Sequence, residues 1–418
     1  MFKKSIVIIL IQLAGSLLGL VSLYFIAGDM APEVYSLVGV YNIVVSVVLT
    51  FSDLGIETTM MRETLYWIEN KEEKKVSEYA TQALLSRMFA FFVILPFLIF
   101  YMNYLNFNKY DGRYTVLLCT FIIGGGISAL NNAMSLVIRS HGEYVFSQFA
   151  VTLNNYVIKF LGLGLYFKLG EDVYLYFYAL SSIPLLLVYF IKIHKLFSWN
   201  HVDFKQMLKK VYSARYLWLK TDLDYLKNNA DSILVSAIFP ASIMGSYSIF
   251  KTFELLSKTF IEGFFDVQSQ HTVRFKGNKK LLIEQERKIK RARNYILVLI
   301  ALGTVLYAAN TGFWINLVRL NRYQEIEILI YGVIAITFIH VVGKYEINAL
   351  AFFATSKLNF LLGIGIFMGT IFSFGIVIFN KSIASVMIQR IAVYLLHTLL
   401  AIYLFNSKKE SLYTNVER

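Results

Sequence analysis

Apolar runs of about twenty residues recur along the whole chain, separated by short polar stretches. A run of that length is what an α-helix needs to cross the hydrocarbon core of a bilayer. Hydropathy places about twelve spans, at roughly 5–27, 35–52, 80–102, 114–138, 145–167, 173–192, 214–238, 242–264, 294–313, 327–354, 358–379 and 383–405. The pattern predicts an all-α polytopic membrane protein, with its helices arranged as two six-helix lobes around a central cavity. The predicted division is an N-terminal lobe over 1–195, a basic linker over 196–213 and a C-terminal lobe over 214–418.

Composition agrees with that pattern. Of 418 residues, 57% are hydrophobic and 16% charged, and only 4 are proline, which excludes an ordinary soluble domain. The net charge of +13 would suit nucleic acid if it were patched on a soluble surface. Instead the lysines and arginines concentrate in alternate loops, as the positive-inside rule expects, so the sequence predicts no nucleic-acid partner. That asymmetry puts both termini in the cytoplasm of a bacterial inner-membrane protein. Met1-Phe-Lys-Lys and the apolar stretch after it resemble a signal peptide, but the stretch is too long and lacks a small-residue cleavage site. It reads as an uncleaved first helix. The single Cys119 excludes an internal disulfide and a multi-cysteine metal site. A basic stretch at about 274–293, containing the run Glu286 to Arg293, reads either as an amphipathic surface helix that precedes the ninth span and attracts anionic headgroups or as a solvated positive-inside run.

Two spans break the apolar rule in an ordered way. Lys251, Glu254, Lys258 and Glu262 fall within a sector of roughly 80° on one helix. Lys220, Asp224, Lys227 and Asp231 fall within about 60° on the helix before it. A charge near the bilayer centre costs about 2.5–3.5 kcal/mol, so such side chains normally face a partner or water. Other spans add polar stripes: Asn42, Ser46, Asp53 and Glu57; Ser128, Asn132, Ser135 and Arg139; Gln148, Thr152, Asn155 and Lys159; His340, Lys344 and Asn348; Arg390 and His397. Single Ser, Thr and Asn residues of this kind glue helices together. The ionisable ones point to a hydrated interior.

The candidate cargo-binding cations are Arg139, Lys159, Lys220, Lys227, Lys251, Lys258, Lys344 and Arg390. The candidate gating or ion-coupling carboxylates are Asp53, Glu57, Asp224, Asp231, Glu254 and Glu262, with Glu346 also in the interior. A cationic excess at membrane depth suits an anionic cargo such as a phosphate or diphosphate. No cofactor is expected, although proton or sodium coupling would use the carboxylates. Asp222-Leu-Asp224 has the D-x-D form of a metal-bound nucleotide-sugar site, but the two residues point to nearly opposite sides of a helix, and neither a metal site nor catalysis is expected. There is no Walker A sequence. Gly124-Gly125-Gly126 reads as close helix packing.

Residues 32–63, PEVYSLVGVYNIVVSVVLTFSDLGIETTMMRE, resemble the opening of the polysaccharide exporters of the multidrug/oligosaccharidyl-lipid/polysaccharide (MOP) superfamily. The second helix of that family ends in Asp-Leu-Gly before a short apolar stretch and Arg-Glu, matched here by Asp53-Leu54-Gly55 and Arg62-Glu63. A further segment, Asn229-Ala-Asp231 followed by Gly245-Ser-Tyr247-Ser, is similar to the family's seventh and eighth helices. Tyr35 stands where glycine is common, and the charged helices seven and eight also depart from the pattern. The resemblance implies an O-antigen or other repeat-unit flippase that moves a polyprenyl-diphosphate-linked oligosaccharide across the inner membrane by alternating access. Polysaccharide polymerase, glycosyltransferases and membrane lipids would be its partners. The competing readings are a multidrug-type small-molecule antiporter and a membrane glycosyltransferase or polymerase. The last would need a large extracytoplasmic domain, for which no outer loop leaves room.

Overall fold

A computed structural model describes residues 2–54, 67, 72–141, 143–197, 204–213, 215–273, 278–354 and 356–414. Glu57 lies outside the described residues, and so do the side chains of Lys220, Glu262 and Gln148. The described residues form helices and no strands. The chain divides into two compact units, Met1–Tyr225 and Leu226–Arg418.

The first unit runs through α1 (Phe2–Asp29), α2 (Pro32–Phe51), α3 (Glu73–Lys109) and α4 (Thr115–Ser140). A bent rod follows: α5 (Tyr144–Thr152), a π-helical turn (Leu153–Ile158) and α6 (Lys159–Leu169). Then come α7 (Glu171–Leu180), α8 (Ile183–Ile193), the short α9 (Phe204–Ser213) and α10 (Arg215–Ile238). Pro32 opens α2 at a position whose N–H has no partner in a helix anyway. Gly170, with φ of +89°, ends α6 in the left-handed region that glycine adopts without strain. The core of this unit joins α3, α4, α5 and α8 through Tyr79, Leu84, Met134, Val137, Ala150 and Tyr189.

Glycines of this unit admit close neighbours. A Cβ on Gly124 of α4 would lie 2.4 Å from the carbonyl oxygen of Ala179 and 3.0 Å from the Tyr41 ring. A Cβ on Gly15 of α1 would meet the ring of Tyr156, within the π turn, at 2.6 Å. The triple glycine thus does pack helices closely. Gly124→Leu should lower the thermal midpoint of the detergent-solubilised protein by an amount equivalent to about 1–3 kcal/mol. Gly164→Leu on α6, where a Cβ meets nothing within 4 Å, should leave the midpoint near that of the parent.

The second unit begins within α10 and continues through α11 (Ala241–Val273), α12 (Lys279–Ala309), the short α13 (Thr311–Leu317), α14 (Ile326–Phe353), α15 (Ser356–Asn380) and α16 (Ile383–Thr414). Asn278 caps α12 by accepting from the N–H of Leu281 at 3.2 Å. α14 is the central element, packed against α11, α12 and α16. Phe265, Leu282, Val341, Tyr345, Ile366 and Phe405 are among its core residues.

Eight helical stretches among the described residues are long and apolar enough to cross a membrane. Hydropathy and length alone therefore return fewer than the twelve expected spans; α10 and α11 fall outside the set, and both carry charge ladders. The basic stretch before the ninth span is not a separate surface helix. It is the first part of α12, which continues unbroken from Lys279 into the apolar span.

Candidate functional site

The C-terminal part of α10, through Asn228 and Asp231, meets the charged face of α11, and α16 completes the arrangement. On α11, Lys251, Glu254 and Lys258 stack at i, i+3 and i+7, which places them one above another along the helix. Arg390 and Tyr394 stand one turn apart on α16, and Asn228 and Asp231 lie on the part of α10 that belongs to the second unit. Arg390 is the hub. Its Nη2 donates to both carboxylate oxygens of Glu254, at 2.7 and 2.6 Å, and its Nε donates to Oε2 at 3.1 Å. Its Nη1 donates to Asp231 Oδ2 and, at 3.0 Å, to the Asn228 carbonyl oxygen. Arg390, Asp231 and Glu254 are each only 2% exposed.

Two lysines flank this core. Lys251 Nζ donates to the Asn228 carbonyl oxygen at 2.6 Å and lies 3.5 Å from Glu254 and 3.8 Å from Asp231. Lys258 Nζ lies 2.5 Å from Glu254 Oε1 and also donates to the Tyr394 hydroxyl. The Tyr394 oxygen is in turn 2.8 Å from Asn228 Oδ1. Tyr247 donates its hydroxyl hydrogen to Asp231 Oδ2. Asp231 Oδ1 is buried and accepts no hydrogen bond, so the Lys251 ammonium 3.8 Å away is its electrostatic partner. Three cations against two carboxylates leave the cluster with one positive charge in excess. The network needs that arginine: a planar guanidinium can serve two carboxylates and a carbonyl at once, which an ammonium cannot do with the same geometry.

The remaining sequence-predicted residues are placed differently. Lys227 reaches His397 Nδ1 at 3.4 Å, extending the cluster along α10 and α16. Lys344 is buried on α14. Asp224 is half-buried on α10, further toward its N-terminus. Glu346 does not join the central cluster. It pairs with Lys290 at 3.3 Å and Arg293 at 3.4 Å, both on α12. Glu286 lies beside that pairing and holds Lys290 at 2.8 Å and Lys409 at 2.7 Å. The inner side of the basic run is thus an ion-pair tie joining α12, α14 and α16.

In the first unit, Asp53 is buried with Arg87 of α3, whose Nη2 lies 3.4 Å from its Oδ1. Arg87 was not among the sequence candidates. Its signal was available, as a lone cation in the middle of the third apolar run, but it had no polar companions at helical spacing. Arg139 donates to Ser147 Oγ at 3.0 Å, and Ser147 also contacts Ser135 at 2.6 Å, so this arginine ties α4 to α5.

Lys159 has a different environment from every cation above. Its Nζ stands 4.1 Å from the centroid of the Tyr178 ring and 5.9 Å from that of Tyr41, the geometry of a cation over aromatic faces. No carboxylate lies within ion-pair distance of it among the described residues. Around it the first unit is polar but uncharged. Tyr178 donates to Asn42 Oδ1 at 3.4 Å, Asn131 donates to the Ser182 carbonyl at 2.8 Å, and Asn154 donates to Ser182 Oγ at 3.4 Å. The buried Oδ1 atoms of Asn131 and Asn154 accept no hydrogen bond. The sequence expectation placed Asn155 on this face. Asn154 instead continues the buried face of Ser147 and Ala150 at i, i+3 and i+7 and is 1% exposed, while Asn155 is turned outward.

The chain has the fold of the MATE transporters of the MOP superfamily. An inward-facing multidrug-resistance MATE family transporter matches at a TM-score of 0.71 and 15% identity, covering 98% of each chain. A Vibrio cholerae MATE transporter matches at 0.66 and 13% identity, over 99% of this chain and 97% of the other. A MOP superfamily transporter from Pyrococcus furiosus matches at 0.65 and 12% identity, over 98% and 95%. That transporter is described as having a binding pocket of reverse polarity that suggests a different function. No protein-family model and no curated protein sequence matches the chain.

Proposed function

We propose that this protein is an MOP-type transporter of an anionic amphiphile, a polyprenyl-diphosphate-linked oligosaccharide of the O-antigen or repeat-unit kind. It moves this cargo across the bacterial inner membrane by alternating access, with both termini in the cytoplasm. The observation that carries the reading is the sign of the buried polar residues. The cluster on α10, α11 and α16 holds one more cation than it has carboxylates, and Lys159 has aromatic rings and no carboxylate. A diphosphate presents several strong acceptor oxygens to guanidinium and ammonium donors, whereas a cationic drug would be repelled. The reverse polarity described for the Pyrococcus transporter is in keeping with a MOP fold that handles cargo of the opposite sign.

In this mechanism Glu254 stands in for the cargo. Its carboxylate occupies Arg390, Lys251 and Lys258 while the site is empty, and the diphosphate oxygens replace it when cargo arrives. The displaced carboxylate can then take a proton or sodium ion, which couples transport to an ion gradient. Polysaccharide polymerase and glycosyltransferases would work before and after it, and the protein itself makes or breaks no covalent bond.

The second reading is a multidrug-type antiporter. The solved structures of similar fold favour it, being multidrug-resistance transporters, and Asp231 and Glu254 would then serve the coupling ion. Proteoliposomes separate the two. With a fluorescent polyprenyl-diphosphate oligosaccharide in one leaflet, transport should exceed that of protein-free vesicles, and a lipophilic cation loaded into the same vesicles should stay at the passive rate. Extrusion of the cation without movement of the glycolipid would establish the antiporter instead.

A further inference from the structure

The apolar window of α12 is unlike those of the other membrane-length helices, because none of it is buried within the protein. One side of the rod is committed. Leu282, Glu286 and Ile289 are buried, and Glu286, Lys290 and Arg293 make the ion-pair tie to α14 and α16. The opposite side carries Lys280, Arg287 and Arg291, all exposed, at offsets of 0, 7 and 11 that fall within about 40° of one another. Continuing along the same stripe, Val298 is 57% exposed, Leu302 57% and Val305 66%. Tyr295, at 74% exposure, stands one turn beyond Arg291 where the charged part gives way to the apolar part. The only carboxylate on this charged stripe among the described residues, Glu284, is taken up by Lys288 at 2.7 Å. Lys280 and Arg287 lie within electrostatic reach of Glu284, but among the described residues neither they nor Arg291 close an ion pair with a carboxylate.

We propose that this outer face of α12 is a binding site for an anionic phospholipid. Arg287 and Arg291 lie one turn, or about 6 Å, apart along the helix axis, which lets two guanidinium groups bracket one phosphodiester. The acyl chain runs along Val298 and Leu302, and Tyr295 sits at headgroup depth as interfacial aromatics do. Lys280 adds a third cation two turns further from the hydrocarbon. Charge complementarity selects the occupant: a zwitterionic headgroup returns a positive charge to the same stripe, and an anionic one does not. The cations lie on the side that the loop charges assign to the cytoplasm, where juxtamembrane basic clusters meet anionic lipid. Because the inner face of these same turns is pinned to α14 and α16, the site is a fixed row and not a mobile tail.

Local fluorescence quenching tests this without any transport assay. Tyr295→Trp places a reporter at the junction of the charged and apolar parts, and the signal of the parent protein, with its four native tryptophans, is subtracted. The full-length variant is reconstituted in vesicles containing equal fractions of brominated phosphatidylglycerol or brominated phosphatidylcholine. The anionic lipid should quench residue 295 about twofold more strongly or better. Adding Lys280→Gln, Arg287→Gln and Arg291→Gln should bring the two lipids level. These three side chains face outward and leave the ion-pair tie intact, so the triple variant should fold, which its unchanged thermal midpoint would verify. Equal quenching by the two lipids in Tyr295→Trp, or a preference that survives the triple substitution, would overturn the site.

Discussion

Arg390→Leu should destabilise the protein more than any other single change to a side chain described above, by about 3–5 kcal/mol. The guanidinium makes hydrogen bonds to Glu254, Asp231 and the Asn228 carbonyl, in a place where Arg390 and its two carboxylate partners are each 2% exposed. Replacing it with leucine strands two carboxylates in low dielectric, and that uncompensated burial, more than the lost pair energy, is the source of the cost. Lys251 and Lys258 soften the effect at Glu254 but leave Asp231 with a single ammonium 3.8 Å away. Thermal unfolding in detergent measures it directly. The triple variant Arg390→Leu, Asp231→Asn, Glu254→Gln should recover much of the loss, because no bare carboxylate remains at Arg390. If Arg390→Leu alone melts at the parent temperature, the cluster is hydrated and open, not a dry ion-pair core.

Lys159→Gln should behave in the opposite way, losing function while keeping or gaining stability. A lysine among tyrosine rings, with no carboxylate among the described residues, is held there at a desolvation cost that glutamine does not incur. Removing it should leave the melting midpoint equal to that of the parent or higher. Under the proposed function the same change removes a charge-assisted contact to the cargo diphosphate, worth roughly 1.5–3 kcal/mol. At about 1.4 kcal/mol per decade, binding of a soluble polyprenyl-diphosphate analogue should weaken by roughly ten- to a hundredfold. Such a trade of stability for function is typical of a residue kept for a ligand. Unchanged affinity would show that Lys159 serves packing against Tyr178 and nothing more.

Much of this arrangement is legible in the sequence, and the exceptions have physical causes. The ladder on α11 could be found because its spacing keeps Lys251, Glu254 and Lys258 on one face whatever they touch. Helical periodicity cannot tell which distant helix answers that face, so Arg390 stood as one candidate among several and not as the hub. Glu346 shows the same limit. An acid in an apolar run announces that it needs a partner, but not that the partner is the basic start of α12 and not the central cluster. Arg87 escaped because a lone charge without companions forms no pattern. The boundary of α12 was misplaced because hydropathy ends a span where charges begin, while backbone hydrogen bonding continues through them.

The π turn between α5 and α6 has a consequence for how this part of the chain tolerates change. It gives a single rod two angular phases, one for residues before Leu153 and another for those after Ile158. Lys159 therefore depends on chain length as well as on residue identity for its place over the tyrosine rings. Loss of one residue within the turn would restore ordinary α-helical bonding and leave everything beyond it on its present face, because the wide turn already absorbs about 100° of rotation. In that stretch a one-residue deletion can be mild for backbone and chemistry alike, whereas one more inserted residue would turn Lys159 off the tyrosine rings. An insertion there would rewrite the polar interior of the first unit without altering a single polar residue.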